Sequence, residues 1–89
     1  MSSMASSEHY FYVLDCADGS FYAGYTTDPL RREQEHNKGI GSKYTKARRP
    51  VRMIHKEVFG SRAEATKAEA AFKKLSRKQK EAFLEVRGS

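Results

Sequence analysis

An α+β domain, a three-stranded antiparallel sheet flanked by helices, is the fold class that three observations in this sequence predict. Residues 9–16 and 20–25 are rich in aromatic and β-branched side chains and are separated by Ala17-Asp18-Gly19, which is a hairpin signal. Residues 51–59 alternate well enough for a third strand. Ser61-Arg62-Ala63-Glu64 and Ser76-Arg77-Lys78-Gln79 are both capping boxes, so helices are expected at about 62–75 and 77–86. With 89 residues and no internal repeat, one domain over 9–87 is expected, after a small, Ser-rich and disordered lead-in at 1–8.

The hairpin can be read in register. A three-residue loop ending in Gly is a type I turn plus bulge, with Gly19 left-handed and Cys16 facing Ser20. Leu14 then faces Tyr22 and Tyr12 faces Gly24. Tyr12 and Tyr22 become diagonal neighbours on one face, roughly 7–8 Å apart at the backbone. Phe11, Val13, Phe21 and Tyr25 take the other face, assigned to the core. Downstream, Asp28-Pro29 is an N-cap followed by Pro at the first helical position, and Asn37 to Gly39 stops a short helix over about 29–37. Leu30 is its only strongly apolar residue, so little of it can be buried in oil. Arg32 and His36 stand four apart and share one of its faces. Residues 39–50 are expected to form a basic loop.

Composition narrows the function. No apolar run approaches the roughly 18 residues of a membrane span, and the N-terminus lacks the basic start and apolar centre of a signal peptide. Cys16 is the only cysteine, which excludes an internal disulfide and a thiolate zinc cage. A reduced, cytoplasmic compartment is expected. The net charge of +6 is unevenly placed: residues 1–30 are net −4, residues 31–56 net +7 and residues 57–89 net +3. A concentrated basic segment interleaved with Gly, Ser, Thr and Tyr donors suits a polyphosphate partner, DNA before RNA. Lys43, Lys46, Arg48, Arg49 and Arg52 are the expected backbone contacts, with Tyr44 a stacking surface.

One carboxylate stands out. The apolar stripe of the helix from 62 runs Ala65, Ala68, Phe72, Leu75, and the i+4 partner of Ala65 is Glu69. A carboxylate on or beside a buried stripe either borders it and reaches water, pairs with Lys73 one turn on, or faces another cation, which can be an Arg, a Lys or a metal.

Tyr12, then Tyr22-Ala23-Gly24, Arg32, His36 and the lone Glu69 resemble the GIY-YIG nuclease domain in order and spacing. The closer likeness is to its short stand-alone bacterial members, the YhbQ and YazA group. The stretch Asp18 to Thr27, the Gly-Ser-Lys-Tyr-Thr run at 41–45, Arg48-Arg49-Pro50-Val51 and the 73–77 junction carry it, and coverage is residues 9–86. The first motif departs from the family, reading Tyr10-Phe11-Tyr12 where Gly and Ile usually precede the tyrosine, and Ala23 replaces the central Ile of the second.

The resemblance implies a single-metal phosphodiester hydrolysis. Glu69 would bind Mg²⁺ or Mn²⁺, Arg32 would grip the scissile phosphate, and His36 would hydrogen-bond the phosphate or orient water. Tyr12 would be the general base, with Tyr22 as orienting partner or alternate base. A phenol of ordinary pKa near 10 then needs a cationic neighbourhood from Arg32, the metal and Lys43 or Lys46. Gly24, opposite Tyr12, is expected to leave room for a phosphate. Family endonucleases usually carry a separate targeting domain, for which 89 residues leave no room, so cleavage of distorted DNA with little sequence preference is the expected activity. Two other readings stay open: a nucleic-acid-binding module that no longer cuts, and an adaptor docking onto a larger nuclease.

Overall fold

The computed structural model describes residues 8–88, in the order β1 (His9–Cys16), β2 (Phe21–Thr26), α1 (Pro29–Asn37), α2 (Lys43–Lys46), β3 (Val51–Phe59), α3 (Arg62–Lys73) and α4 (Arg77–Gly88). Apart from Glu8, the expected lead-in lies outside the described residues. The three strands form one antiparallel sheet in the order β2-β1-β3, the expected fold class. The hairpin takes the expected register, Tyr12 against Gly24 and Leu14 against Tyr22. Its turn closes through Cys16 N–H to the Ser20 carbonyl, with Gly19 at φ +85° as the left-handed residue of the loop.

Central strand β1 is buried on both faces, from Phe11 to Leu14. On one face Phe11, Val13 and Ala23 pack against Phe72 of α3, with Phe83 and Leu84 of α4 closing the cluster. The stripe of α3 does as expected: Ala65 and Phe72 are buried, while Ala68 and Leu75 are partly so. Tyr25, assigned to the core, instead lies half-buried at the strand end, stacked on His9. The other face holds Tyr12, Leu14, Cys16 and Val51, flanked by Tyr22 and Met53.

The pairing of β3 with β1 contains an irregularity. Val13 faces His55 and Leu14 faces Met53, so Ile54 is an extra residue in β3. Strict alternation would put Met53 and His55 on one face. The bulge separates them: Met53 packs beside Leu14 and Tyr12, whereas His55 makes edge contacts with Phe11 and Phe83 on the opposite face.

Helix α1 docks without an apolar face. Asp28 caps it by accepting from Arg31 N–H, and its end forms a Schellman motif, with Gly39 N–H bonded to the His36 carbonyl and Ile40 N–H to that of Glu35. Leu30 is exposed. Its attachment to β3 is polar: Asn37 accepts from Val51 N–H at 2.7 Å and donates to the Val51 carbonyl at 2.9 Å, and Glu33 accepts from Met53 N–H at 2.8 Å. Two side chains one turn apart thus satisfy backbone groups that a further strand would otherwise pair. The scarcity of oil in α1 thus has a structural cause in this polar attachment.

Candidate active site

Four of the five expected catalytic residues converge on the Tyr12 face of the sheet. Tyr12 and Tyr22 lie on the same side, as diagonal neighbours must. His36, from α1, reaches between them: its ring centroid is 5.9 Å from that of Tyr12 and 5.2 Å from that of Tyr22, both edge-on. The Tyr12 hydroxyl is 2.8 Å from His36 Nε2, and Nδ1 is 2.7 Å from the Thr45 hydroxyl of α2. Tyr12, His36 and Thr45 are all buried, at 1%, 0% and 0% exposure. Two glycines make the packing this close. A Cβ on Gly24 would stand 2.4 Å from the Tyr12 hydroxyl oxygen, and one on Gly41 would stand 2.3 Å from His36 Nδ1. Gly24 therefore does not leave room for a phosphate; the phenol of Tyr12 itself occupies that space.

Arg32 lies beside the same phenol. Its guanidinium donates to Glu35 Oε1 at 2.9 Å and to the Gly41 carbonyl at 3.1 Å, while Nε is buried with no hydrogen-bond partner among the described residues. A cleft of about 330 Å³ opens next to it, lined by Tyr25, Thr26, Asp28, Arg31 and Glu35. A larger cavity, lined by Phe21, Ile54 and Leu84, lies by α4, away from the tyrosines.

Burial decides the protonation states. Desolvation pushes the Tyr12 phenol up to about 12; Arg32 acts against this, and the charges of Tyr22 and Glu69 add to it. The cationic neighbourhood required for a phenolate is outweighed, because among the described residues Arg32 is the one cation acting on the phenol and the group is out of water. Burial, reinforced by the Arg32 charge, lowers His36 to about 4, so the imidazole is neutral at pH 7. The two groups meet as a neutral phenol and a neutral imidazole.

Glu69 is the fifth residue. Its Oε2 is 2.8 Å from Lys73 Nζ, one of the arrangements left open by helix spacing, and its charge still reaches Tyr12. Among the described residues, no group of three His, Cys, Asp or Glu side chains could enclose a metal ion. A partly accessible carboxylate whose charge reaches the phenol nonetheless fits Mg²⁺ or Mn²⁺, which can be held by one carboxylate while waters and phosphate oxygens complete the shell.

The basic segment is more structured than expected. Ser42 caps α2, a single helical turn within what was expected to be loop. Arg48 pairs with Asp18 at 3.0 Å, donates to the Tyr44 carbonyl and lies 3.8 Å above the Tyr44 ring. Tyr44 is also stacked on Tyr22, with centroids 5.8 Å apart, so the stacking surface expected of it is already engaged within the chain. Arg49 donates to the carbonyls of Lys46 and Asn37, and Arg52 approaches Asp15 at 3.6 Å. Lys43 and Lys46 are exposed and, among the described residues, make no ion pair.

Sequence reasoning missed Thr45, Glu35 and Gly41. Ser42 carries a usable signal, since Ser is a favoured N-cap whose hydroxyl accepts from the backbone N–H three residues on, here that of Thr45.

Fold and site together define a class of small α+β domain in which two hairpin tyrosines face an arginine and a histidine of the first helix, with a carboxylate of the third helix whose charge reaches one of the phenols. The chain belongs to the GIY-YIG nuclease family: the family model for the GIY-YIG catalytic domain matches residues 8–82. It is 71% identical over 79 residues to the UPF0213 protein lmo0166 of Listeria monocytogenes, covering 89% of this chain and 88% of that protein. It is 52% identical over 82 residues to the UPF0213 protein YazA of Bacillus subtilis, covering 92% and 83%. Its fold is similar to the solution NMR structure of the UPF0213 protein BH0048 of Bacillus halodurans, with a TM-score of 0.62, 45% identity and coverage of 92% and 87%. The solution NMR structure of EF2693 from E. faecalis gives 0.60 at 65% identity, covering 89% and 84%. No described helix is long and apolar enough to cross a membrane.

Proposed function

We propose that this protein is a metal-dependent endonuclease that hydrolyses DNA phosphodiester bonds with little sequence preference. The observation that carries the proposal is the buried contact between the Tyr12 hydroxyl and neutral His36. A phenol held near pKa 12 is protonated at neutral pH, so it offers no preformed phenolate, but with His36 as its acceptor it can relay a proton. As water attacks phosphorus, Tyr12 oxygen takes the water proton while its own proton passes to His36 Nε2. The resulting hydroxide forms the new P–O bond, and the bond to the leaving oxygen breaks, the departing alkoxide taking a proton from solvent water. The imidazolium then returns its proton through the phenol to solvent, which restores neutral His36 and balances the step.

Arg32 binds the phosphate and opposes the charge growing on its oxygens. The phosphate competes with Glu35 for this guanidinium. Tyr22, edge-on to His36, keeps the ring in line. Glu69 is the residue that would hold the divalent ion, which when bound supplies charge neutralisation at the phosphate and acidifies water. Lys43 and Lys46 on α2, with Arg52, meet the DNA backbone; Arg48 and Arg49 hold the shape of that surface and add to its potential.

The buried state of Tyr12 and the internal pairing of Arg32 favour a second reading, a module that binds DNA without cutting. Linear, nicked, flapped and four-way-junction DNA, incubated with Mg²⁺ or Mn²⁺, separates the two. Cleavage that Glu69→Ala and Arg32→Ala abolish, with affinity largely kept, supports the enzyme. Equal residual cleavage in those variants removes the catalytic assignment.

A further inference from the structure

The polar line through the buried site continues past His36. Thr45 Oγ1 sits 2.7 Å from Nδ1, its own amide donates to Ser42 Oγ at 3.1 Å, and its hydroxyl has Ser42 Oγ at 3.0 Å and the Ser42 carbonyl at 3.4 Å. The N-cap of α2 therefore fixes Thr45, and Gly41 allows this loop to press against the imidazole.

Counting donors and acceptors settles which nitrogen carries the proton. A neutral imidazole has one N–H and one lone pair. The Tyr12 oxygen has Arg32 beside it, which can only donate, and His36 Nε2 on its other side. Among the described residues, Nε2 is the one acceptor within hydrogen-bond distance of this phenol. If Nε2 carried the hydrogen, Arg32 and His36 would both donate toward the same oxygen and the buried phenolic proton would have no acceptor. The hydrogen is therefore on Nδ1, which donates to Thr45 Oγ1, and the Thr45 hydroxyl donates onward to Ser42.

We propose that Thr45 is a positioning residue: it accepts from Nδ1–H, holds His36 in that one tautomer, and so turns the lone pair of Nε2 toward Tyr12. This rests on the nuclease reading only for its effect on cleavage. The tautomer is a property of the folded chain with or without substrate. Thr45 does not touch the reacting atoms; it sets the direction in which the Tyr12 proton can leave. It also places the histidine's anchor on the same helical turn as Lys43 and Lys46.

The test is a two-bond proton–nitrogen correlation spectrum of the uniformly ¹⁵N-labelled protein at neutral pH, for wild type, Thr45→Val and Thr45→Ser. Wild type and Thr45→Ser should show His36 with a protonated Nδ1 and an unprotonated Nε2. Thr45→Val, isosteric but without an acceptor, should move the population toward Nε2–H. On the junction substrate, Thr45→Val should lose roughly 10- to 100-fold in kcat, the loss typical when a hydrogen bond orienting a functional histidine is removed, with KM little changed and Thr45→Ser near wild type. A wild-type spectrum with Nε2–H overturns the proposal, even if Thr45→Val fails to fold. So does an unchanged tautomer in a folded Thr45→Val. If wild type cuts nothing while the spectra behave as expected, the nuclease reading fails and the assignment of Thr45 stands.

Discussion

Acidification should destabilise this protein well above the range where carboxylates titrate, and His36 is the reason. The imidazole has an ordinary pKa of 6.5 in the unfolded chain and about 4 in the fold, because it is buried beside Arg32. Between those values the unfolded chain binds a proton that the folded chain does not. The contribution of neutral His36 is therefore fully present above pH 6.5, declines as pH falls, and is exhausted below about 4. At 1.36 kcal/mol per unit, the whole window is worth about 3 kcal/mol, a large share of the roughly 5–15 kcal/mol that holds a small domain together. Urea unfolding followed by circular dichroism at pH 7.5, 6.5, 5.5 and 4.5 measures it. In the steep part the midpoint should drop by roughly 1 M per pH unit, given a urea slope of about 1–3 kcal/mol/M. His36→Gln should flatten the curve across this window, whereas Asp18 and Glu35, whose pKa values are lowered by their hydrogen bonds to Ser20 and Arg32 respectively, act at its acid end. Parallel curves for wild type and His36→Gln between pH 6.5 and 4 would refute the claim that burial keeps this ring uncharged.

Other outcomes follow from the same contacts. Tyr12→Phe removes the hydroxyl that His36 meets and should lower kcat by about 10²- to 10⁴-fold, while leaving Nε2 unsatisfied should cost about 1–3 kcal/mol in thermal or urea unfolding. Gly41→Ala and Gly24→Ala should each destabilise more than Gly19→Ala, since their Cβ atoms would collide with buried His36 and Tyr12 whereas at Gly19 the cost is only the strain of its positive φ; melting temperatures of the three variants rank them. Asn37→Ala should cost about 1–3 kcal/mol by leaving Val51 unpaired, and hydrogen exchange of the Val51 amide should rise more than that of Val13. Lys43→Ala with Lys46→Ala should weaken binding to every DNA in the panel and flatten its dependence on salt; an unaltered salt slope would remove both as phosphate contacts.

Much of this molecule could be read from its residues because local chemistry specified it. Gly19 in a three-residue loop set the hairpin register, and that register alone put both tyrosines on one face. Asp28-Pro29 placed the start of α1, so Arg32 and His36 had to share a side. Less visible were features made by contacts distant in sequence. Asn37 and Glu33 look like ordinary polar helix residues until β3 returns to meet them 14 and 20 positions later. The extra residue at Ile54 leaves no trace in an alternating pattern, yet it decides which face His55 joins. Helix α2 is a single turn, too short for periodicity to reveal. Counting bases gave the sign of the 31–56 segment but not its availability, since Arg48 and Arg49 are tied to Asp18 and to backbone carbonyls. The state of Tyr12 was misjudged for a related reason: a nearby cation is evident from spacing, whereas removal from water, the larger effect, is a property of the finished fold.

The polar seam between α1 and β3 also governs how the molecule can move. A helix seated on oil can creep along its neighbour by a fraction of an ångström, because greasy contacts trade smoothly for one another. Amide groups along a strand recur at fixed intervals, so a helix gripped through Asn37 and Glu33 occupies one notch or none. The guanidinium and imidazole it carries are thereby indexed to the hairpin like a key to its wards.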